Sequence, residues 1–545
     1  MPSVFPYLQK PDFGLYYTHQ FSTIATTIEQ FLIVIFSPAD KIGKLYAWML
    51  MTFEKLSNLA ASDNAPRLCT DSRLVKPGDI FVAVKGANFD GHNFIPQAIS
   101  NGAKYIVHQQ YLAPRFTGGS PDKISSISVA DSSIALALLA QAANGNPASK
   151  LTNLAVTGTN GKTTVAFLVR SCIQAAGQKC GLIGTVVYDT GDAASQATLT
   201  TPDSLFIAQK QKQMLKAGAN YMVIEASSHA LDQNRLAAID FKAAAFTNLT
   251  GDHMDYHKTK EEYLAAKSRL FAALSPDATA VLNKQSPESK HIAGQTKANV
   301  LWYAIDDKAD ITAHIESMDI EGTVFTLQYA GEKQKVRSSL LGRHNVSNHL
   351  AAAGLCLAAG LDLKIVAAGL SSLKTVPGRL EKVPFSGDFA VLVDYAHTDD
   401  ALKNVLSTLK PLCKGNLIVV FGCGGDRDRT KRPRMAAVVE QLADIVIVTS
   451  DNPRTEQPMD IISEIVSGFK NKPALRDTSY KSRITKVVEP DRRKAIKLAI
   501  RNAGKDDIIL LAGKGHENYQ IIGKEKFPFS DQEIAADYLA KKYGG

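Results

Sequence analysis

The residues with the plainest chemical purpose in this chain are a lysine and a threonine directly behind a glycine pair, Gly158-Thr159-Asn160-Gly161-Lys162-Thr163-Thr164. Glycines let the backbone curl so that N–H groups face an anion, and a helix starting at the end of the loop adds the positive end of its dipole. Such a loop cradles phosphates: Lys162 would reach the β/γ-phosphates of a nucleotide, and the Thr163 hydroxyl would hold Mg²⁺. It is a short variant, because Val156 stands where the usual G-x-x-x-x-G-K-[ST] pattern has its first glycine. Two other clusters can join it. Strand-like Tyr221–Ile224 ends in Glu225, and Ala243–Thr247 runs on to His253. In an open α/β sheet, ligands sit beyond the carboxyl ends of the strands, so Glu225 and His253 are expected beside the phosphate loop.

These groups need elements to position them. Apolar Leu154–Val156 reads as a buried strand, and Val165, Leu168, Val169, Cys172, Ile173 and Ala176 lie on one face of a helix beginning near Thr163. Four more apolar runs, Ala390–Val393, Leu417–Phe421, Ile445–Thr449 and Ile508–Leu511, alternate with helical stretches and predict a second doubly wound sheet. Behind them come Asp394-Tyr-Ala-His397, Gly422-Cys-Gly-Gly-Asp-Arg427, Ser450-Asp451-Asn452-Pro453-Arg454 and Ala512-Gly513-Lys-Gly-His-Glu517, which would line one rim. Arg454 offers a planar two-pronged donor suited to a carboxylate, on a loop stiffened by Pro453.

Length sets an expectation of about three domains. The expected division is an unassigned extension over 1–50, a small α/β domain over 51–149, a central parallel-sheet domain over 150–375 and a C-terminal doubly wound domain over 376–545. In the first domain, Phe53, Leu56 and Leu59 mark a helix, Ile80–Val84 and Tyr105–Val107 strands, and Phe94–Asn101 a helix. Asn144–Ala148 is a turn-rich hinge. Ile311–Tyr329 reads as alternating strands and Asn345–Ala359 as an Ala-rich helix. Domain-like patterning begins at Met51, which is read as the true start, so the preceding residues are expected to be dispensable.

The 62 Lys+Arg against 53 Asp+Glu, net +9, are spread along the chain without a basic tract, which favours an acidic small substrate over nucleic acid. Six cysteines form no C-x-x-C pair, which argues against a zinc site and for a reducing compartment. Phe31–Phe36 is too short an apolar run to span a bilayer, and residues 1–50 contain no arginine, unlike an organelle transit peptide. A cytoplasmic monomer is expected.

Taken together, Thr-Asp-Ser-Arg73, Gly158–Thr164, Glu225-Ala-Ser-Ser-His229, Asp252-His-Met-Asp-Tyr-His257, Asn345-Val-Ser-Asn348, Pro377-Gly-Arg379, Asp394–His397 and Asp451–Arg454 resemble the Mur ligases, ATP-dependent amide-forming enzymes of peptidoglycan precursor synthesis. The resemblance covers residues 51–545. It implies three domains and a reaction in which ATP converts a carboxylate to an acyl phosphate that an amine then attacks. Within the family, the implied substrates are UDP-N-acetylmuramoyl-L-alanyl-D-glutamate and meso-2,6-diaminopimelate. The cofactors implied are ATP and Mg²⁺.

The site residues follow from the same resemblance. Gly158 through Thr164, Asn348, Arg379 and Asp394 resemble the ATP contacts. Thr163, Glu225, His253 and Lys267 resemble the metal ligands, Lys267 as a carbamate formed with CO₂. Thr70, Ser72 and the Gly86–Gly91 turn resemble the uridine diphosphate site. Thr200, Thr201, Ser227, Gln233 and Arg235 resemble the muramoyl-dipeptide contacts. Arg427, Asp451, Asn452, Pro453, Arg454, Gly513 and Glu517 resemble the diaminopimelate contacts, with Arg454 on the distal carboxylate and Glu517 on the distal ammonium. Three alternatives remain: the same ligase using L-lysine, a folylpolyglutamate synthetase, which would lack the Thr-Asp-Ser-Arg73 domain, or a catalytically silent scaffold.

Overall fold

The structure, a computed structural model, describes residues 51–86, 89–109, 124–250, 256–470 and 486–544. The N-terminal 50 residues, Ala87 and Asn88 of the expected turn, and His253 lie outside the described residues. The chain divides into two compact units, Met1–Ala143 and Asn144–Gly545, at the start of the Asn144–Ala148 turn.

In the first unit, strands β1 (Leu68–Cys69), β2 (Ile80–Val82), β3 (Tyr105–His108) and β4 (Ser125–Ser128) form a parallel sheet in sequential order. Helix Phe53–Ala60 starts where the Thr52 hydroxyl accepts from Lys55 N. β2 stops two residues short of the expected Val84. The Val84 carbonyl is taken by Gly91 N–H (2.9 Å), and Lys85 bridges Asp90, so the chain turns away from the sheet. The helix expected over 94–101 is a 3₁₀ turn, Gly91–Phe94, followed by Ile95–Ser100, whose first turn holds Pro96.

The second unit contains an 11-stranded and a 6-stranded sheet. The larger is built from β5 (Thr152–Thr157), β6 (Cys180–Ile183), β7 (Val187–Asp189), β8 (Ala194–Gln196), β9 (Tyr221–Glu225), β10 (Phe241–Phe246), β11 (Thr279–Asn283), β12 (Asn299–Ile305), β13 (Ile311–Asp319), β14 (Gly322–Tyr329) and β15 (Glu332–Ser338). Its order is β15-β14-β13-β12-β11-β10-β5-β9-β6-β7-β8. Strands β6 to β13 across the middle are parallel, with antiparallel additions at both edges.

Both faces of the middle strands are covered. Leu154 and Val156 pack with the helix Lys162–Ala175, while Ala155 faces the opposite core with Ile224, Phe246 and Tyr263. That is why these strands are apolar throughout rather than alternating. From β5 the chain leaves toward β6, and from β10 it leaves the other way toward β11. The crevice between β5 and β10 is therefore a topological switch point, where open α/β sheets bind ligands.

The smaller sheet comprises β16 (Glu381–Lys382), β17 (Ala390–Asp394), β18 (Leu417–Phe421), β19 (Ile445–Val448), β20 (Lys486–Val488) and β21 (Ile508–Ala512), ordered β16-β17-β21-β18-β19-β20. All but β16 are parallel. The four polar clusters after β17, β18, β19 and β21 thus share one edge. A separate hairpin, β22 (Tyr519–Ile522) with β23 (Glu525–Pro528), follows the last of them.

Candidate functional site

The phosphate loop joins β5 to the helix Lys162–Ala175. Gly158 (φ +147°) and Gly161 (φ +91°) have backbones that side chains rarely allow. Each also meets a neighbour: a Cβ on Gly158 would lie 1.9 Å from Thr247 Oγ1, and one on Gly161 2.3 Å from Asn348 Oδ1. Not every loop N–H faces outward. Thr159 N donates to the Asn248 carbonyl (2.8 Å) and Asn160 N to Asn248 Oδ1 (3.0 Å). The helix's first turn carries no side-chain cap, so its N–H groups are the ones left to donate to a ligand. Lys162 Nζ donates to the carbonyls of Gly158 (2.9 Å) and Thr159 (2.8 Å). Thr164 is buried in that turn.

Glu225 closes β9 and is fully buried. Its carboxylate accepts from Thr163 Oγ1 (3.0 Å), Thr185 N (2.8 Å) and Thr185 Oγ1 (2.9 Å). Lys267, on the helix Lys260–Ala272, is also buried; its Nζ donates to Gly158 O (2.9 Å) and lies 4.4 Å from the Tyr263 ring centroid. Lys267 thus reaches the same loop as Lys162 from the opposite side of the strand.

The expected muramoyl-dipeptide residues of the second unit gather at the end of β9. Thr200 Oγ1 is 3.1 Å from Thr185 Oγ1. Thr201 Oγ1 donates to the Glu225 carbonyl (2.6 Å) and accepts from Ser227 N (3.0 Å). Arg235 donates to Thr201 O (2.6 Å) and, through Nη2, to Gln233 Oε1 (2.7 Å). Burial pulls its guanidinium below the usual range. Thr70 and Ser72 belong to the first unit, where Thr70 is exposed and the buried Ser72 donates to Gln97 Oε1 (2.6 Å).

From the smaller sheet, Arg379 Nη2 donates to Thr163 Oγ1 (3.3 Å), with its guanidinium 5.1 Å from the Tyr395 ring centroid. Asp394 closes β17 below the loop that carries Arg379. Its carboxylate is buried and accepts from Leu380 N (2.7 Å) and Ala396 N (2.8 Å), so it braces the turn that carries Arg379. Burial raises its pKa, against the pull of Arg379. Asn348 is buried next to Gly161 and donates to Asn345 Oδ1 (3.0 Å).

On the shared rim, Asp451 and Asn452 are buried and Arg454 takes a left-handed backbone (φ +50°). The β22–β23 hairpin holds that backbone: Arg454 N donates to Ile521 O (3.1 Å), and Gly523 N to Arg454 O (2.8 Å). Arg454 Nη1 reaches Gly425 O (2.7 Å), and the Pro453 carbonyl packs on Gly425. Asn452 Nδ2 donates to Glu517 Oε2 (2.8 Å). Gly513 (φ +112°) sits where a Cβ would be 2.6 Å from Asp451 Oδ2. Arg427 is exposed at the edge of this group and donates to Asp426 O (3.4 Å).

One participant escaped the sequence analysis, and two more were placed at strand ends without a role. Thr185 sits in a loop without a motif, and only the strand order reveals it; Asn248 heads the polar stretch expected after Ala243–Thr247, and its role as partner of the Thr159 and Asn160 N–H groups comes from the structure. Lys514 is fully buried between Asp451, Asn452 and Glu517; its one sequence signal is a lysine set between two glycines at a strand end. Among the described residues, no group of three or more His, Cys, Asp and Glu side chains could hold a metal alone, and no helix is long and apolar enough to cross a membrane.

Comparison with known proteins follows this geometry. Residues 67–143 match the Mur ligase family catalytic domain, 156–356 the Mur ligase middle domain and 378–515 the Mur ligase glutamate ligase domain. A curated relative from Geobacillus thermodenitrificans, named UDP-N-acetylmuramoyl-L-alanyl-D-glutamate--2,6-diaminopimelate ligase, is 42% identical over 471 residues, 85% of this chain and 93% of its own. A relative of the same name from Syntrophomonas wolfei is 41% identical over 87% of this chain and 94% of its own. A solved structure of a ligase so named is 32% identical with a TM-score of 0.61, covering 88% of this chain and 95% of its own.

Proposed function

Because this chain belongs to the Mur ligase family, we propose that it joins meso-2,6-diaminopimelate to the D-glutamate carboxylate of UDP-N-acetylmuramoyl-L-alanyl-D-glutamate, using ATP, in the cytoplasm. The observation that carries this reading is the Arg379–Thr163 hydrogen bond (3.3 Å), which joins the phosphate-loop rim to the sheet whose edge bears Arg454. Activation and amine attack can thus occur side by side.

The reaction has two steps. The glutamate carboxylate attacks the γ-phosphorus of ATP, ADP leaves, and an acyl phosphate forms. The neutral amine then attacks the acyl carbon, phosphate departs with the bonding pair on its oxygen, and the proton shed by the nitrogen passes to the departing phosphate or to water. The first-turn N–H groups of Lys162–Ala175 and the Lys162 ammonium offset the phosphate charge. Arg379 adds a cation from the facing sheet. Arg235, with Thr200, Thr201, Ser227 and Gln233, would hold the muramoyl dipeptide, while Thr70 and Ser72 of the first unit would take the uridine diphosphate.

Thr163 and Glu225 fit a Mg²⁺ ion bound with the ATP phosphates. Their oxygens are 3.0 Å apart, and two neighbouring oxygens of an octahedral Mg²⁺ site with bonds of about 2.1 Å are about 3.0 Å apart. Mg²⁺ there would neutralise developing phosphate charge. A carbamate on Lys267, with His253, would supply oxygen and nitrogen to a second ion. On the other rim, Asn452, Arg454 and Glu517, with Arg427, Asp451, Pro453 and Gly513 around them, would take the distal end of diaminopimelate.

ADP release tests the reading. It should require both the nucleotide dipeptide and an amino acid, and meso-diaminopimelate should be preferred over L-lysine. Release without either substrate, or none with both, would overturn it. For Lys267, alanine replacement should collapse turnover, with partial recovery on adding short carboxylic acids; a near-normal rate would remove the carbamate from the scheme.

A further inference from the structure

The most completely buried cation on the amino-acid rim belongs to a residue that nothing above puts in contact with substrate. Lys514 is 0% exposed. Its Nζ donates to Asn452 Oδ1 (3.1 Å) and Glu517 Oε2 (3.2 Å) and lies 3.8 Å from Asp451 Oδ1. The rings of Tyr519 and Phe529 stand behind it, with centroids at 5.8 and 5.9 Å.

Buried ion pairs add little net stability, since the desolvation of both charges offsets their attraction. What this one does supply is orientation. Asn452 Oδ1 accepts from two donors, Lys514 Nζ and Ile521 N (2.9 Å), so its Nδ2 must face Glu517. Turning the amide over would set its N–H groups against an ammonium and a backbone N–H. Glu517 is fixed in the same way: both of its carboxylate hydrogen bonds fall on Oε2, leaving Oε1 as the oxygen that can accept from an incoming ammonium.

Lys514 also sets the charge. Asp451 and Glu517 contribute two negative charges, Lys514 and Arg454 two positive ones, while Arg427 and Asp426 add one of each at the exposed edge. The sum is zero. That matches an amino acid whose distal end carries both a carboxylate and an ammonium, whereas the distal end of lysine carries only a positive charge.

The geometry points to Lys514 as a positioning residue that determines amino-acid specificity: it orients Asn452 and Glu517 and keeps the pocket neutral for a zwitterionic distal group. The inference rests on the reading of this rim as the diaminopimelate site. The test is steady-state kinetics of the full chain with meso-diaminopimelate and with L-lysine.

Lys514→Met keeps the stem and removes the charge. It should raise KM for diaminopimelate about ten- to a hundredfold, the range for a lost charge-assisted hydrogen bond, with KM for ATP and for the nucleotide dipeptide unchanged. The preference for diaminopimelate over lysine should fall at least about tenfold. Lys514→Arg should retain most of that preference. Adding Glu517→Gln to Lys514→Met restores neutrality and should recover part of the preference lost.

An unchanged preference in folded Lys514→Met, or an equal loss for every substrate, would overturn the assignment; if that variant does not fold, Lys514→Gln decides by the same criteria. A wild-type protein without preference for diaminopimelate would instead defeat the reading of the site. A wild-type preference left intact by Lys514→Met defeats only the role of Lys514.

Discussion

The two rims of the second unit handle charge in opposite ways. On the larger sheet, the groups gathered at the loop are the N–H donors of a helix's first turn, the Lys162 ammonium and the Arg379 guanidinium, with the carboxylates of Glu225 at the Thr163 hydroxyl and Asp400 at the Asn160 amide. In the proposed reading, these donors and cations are what a bound phosphate would meet. On the smaller sheet, Lys514 is already matched with Asp451, Asn452 and Glu517. The first rim binds charge; the second compares it. On the proposed reading, phosphate is held by attraction and the amino acid is selected by whether it leaves any charge unanswered.

The largest break in this contrast should come at Glu225. Glu225→Gln keeps the shape and removes the negative charge, and ADP release should fall by at least about a thousandfold, as expected when a phosphoryl-transfer site loses its metal ligand. Equilibrium binding of the nucleotide dipeptide should change little. On the other rim, Arg454→Ala should leave the phosphate loop intact but remove the partner of the distal carboxylate. Its kcat/KM ratio for diaminopimelate over lysine should drop by on the order of a hundredfold or more, within the ceiling of about 10⁴ for a polar mismatch. If Arg454→Ala still preferred diaminopimelate, the division of labour between the rims would be wrong.

The smallest effect concerns the helix that backs the phosphate loop. His349 is buried, its Nδ1–H donates to the Asn345 carbonyl (2.6 Å), and its Nε2 finds no partner among the described residues. Burial lowers its pKa from 6.5 to about 4. A histidine held neutral in the fold contributes stability that is complete above pH 6.5 and is lost as pH falls from there toward about 4. Between pH 7 and pH 5 the loss should be roughly 2 kcal/mol. Thermal melts of wild type should therefore fall faster on acidification than those of His349→Gln; parallel curves would exclude His349 as the source.

The contrast between the rims also explains what could be read in advance. Gly158, Gly161, Lys162 and Thr163 are neighbours in sequence, their backbone demands are local, and the strand and helix around them follow from apolar spacing. Glu225 was found because a strand end is a local signal. Asn248 was placed beside the loop by the same signal, whereas Thr185 becomes a partner of Glu225 only through the order β5-β9-β6, which no short window contains. That Asp394 accepts from Leu380 N and Ala396 N, bracing the turn with Arg379, could not be read from its motif, because it depends on how that turn folds back on β17. Lys514 was placed on the rim but given no role, because besides Glu517, three residues on, its partners lie 62 and 63 positions away, at Asn452 and Asp451. Hairpin β22–β23 was missed because the exposed Ile522, Glu525 and Phe527 give it no apolar face to recognise.

That hairpin is tied to the Arg454 loop by three main-chain groups, Ile521 O, Gly523 N and Ile521 N, the last to Asn452 Oδ1, and by one side chain, Gln520 Nε2 to Asp451 O (2.6 Å). It works as a ruler most of whose markings are peptide groups. Evolution can rewrite most of its letters without moving Arg454, but it cannot change their number. Exchanging the exposed Lys526 or Phe527 should leave substrate choice untouched, whereas inserting one residue between Tyr519 and Ile521 should slide all three anchors and abolish the diaminopimelate preference while ATP binding persists.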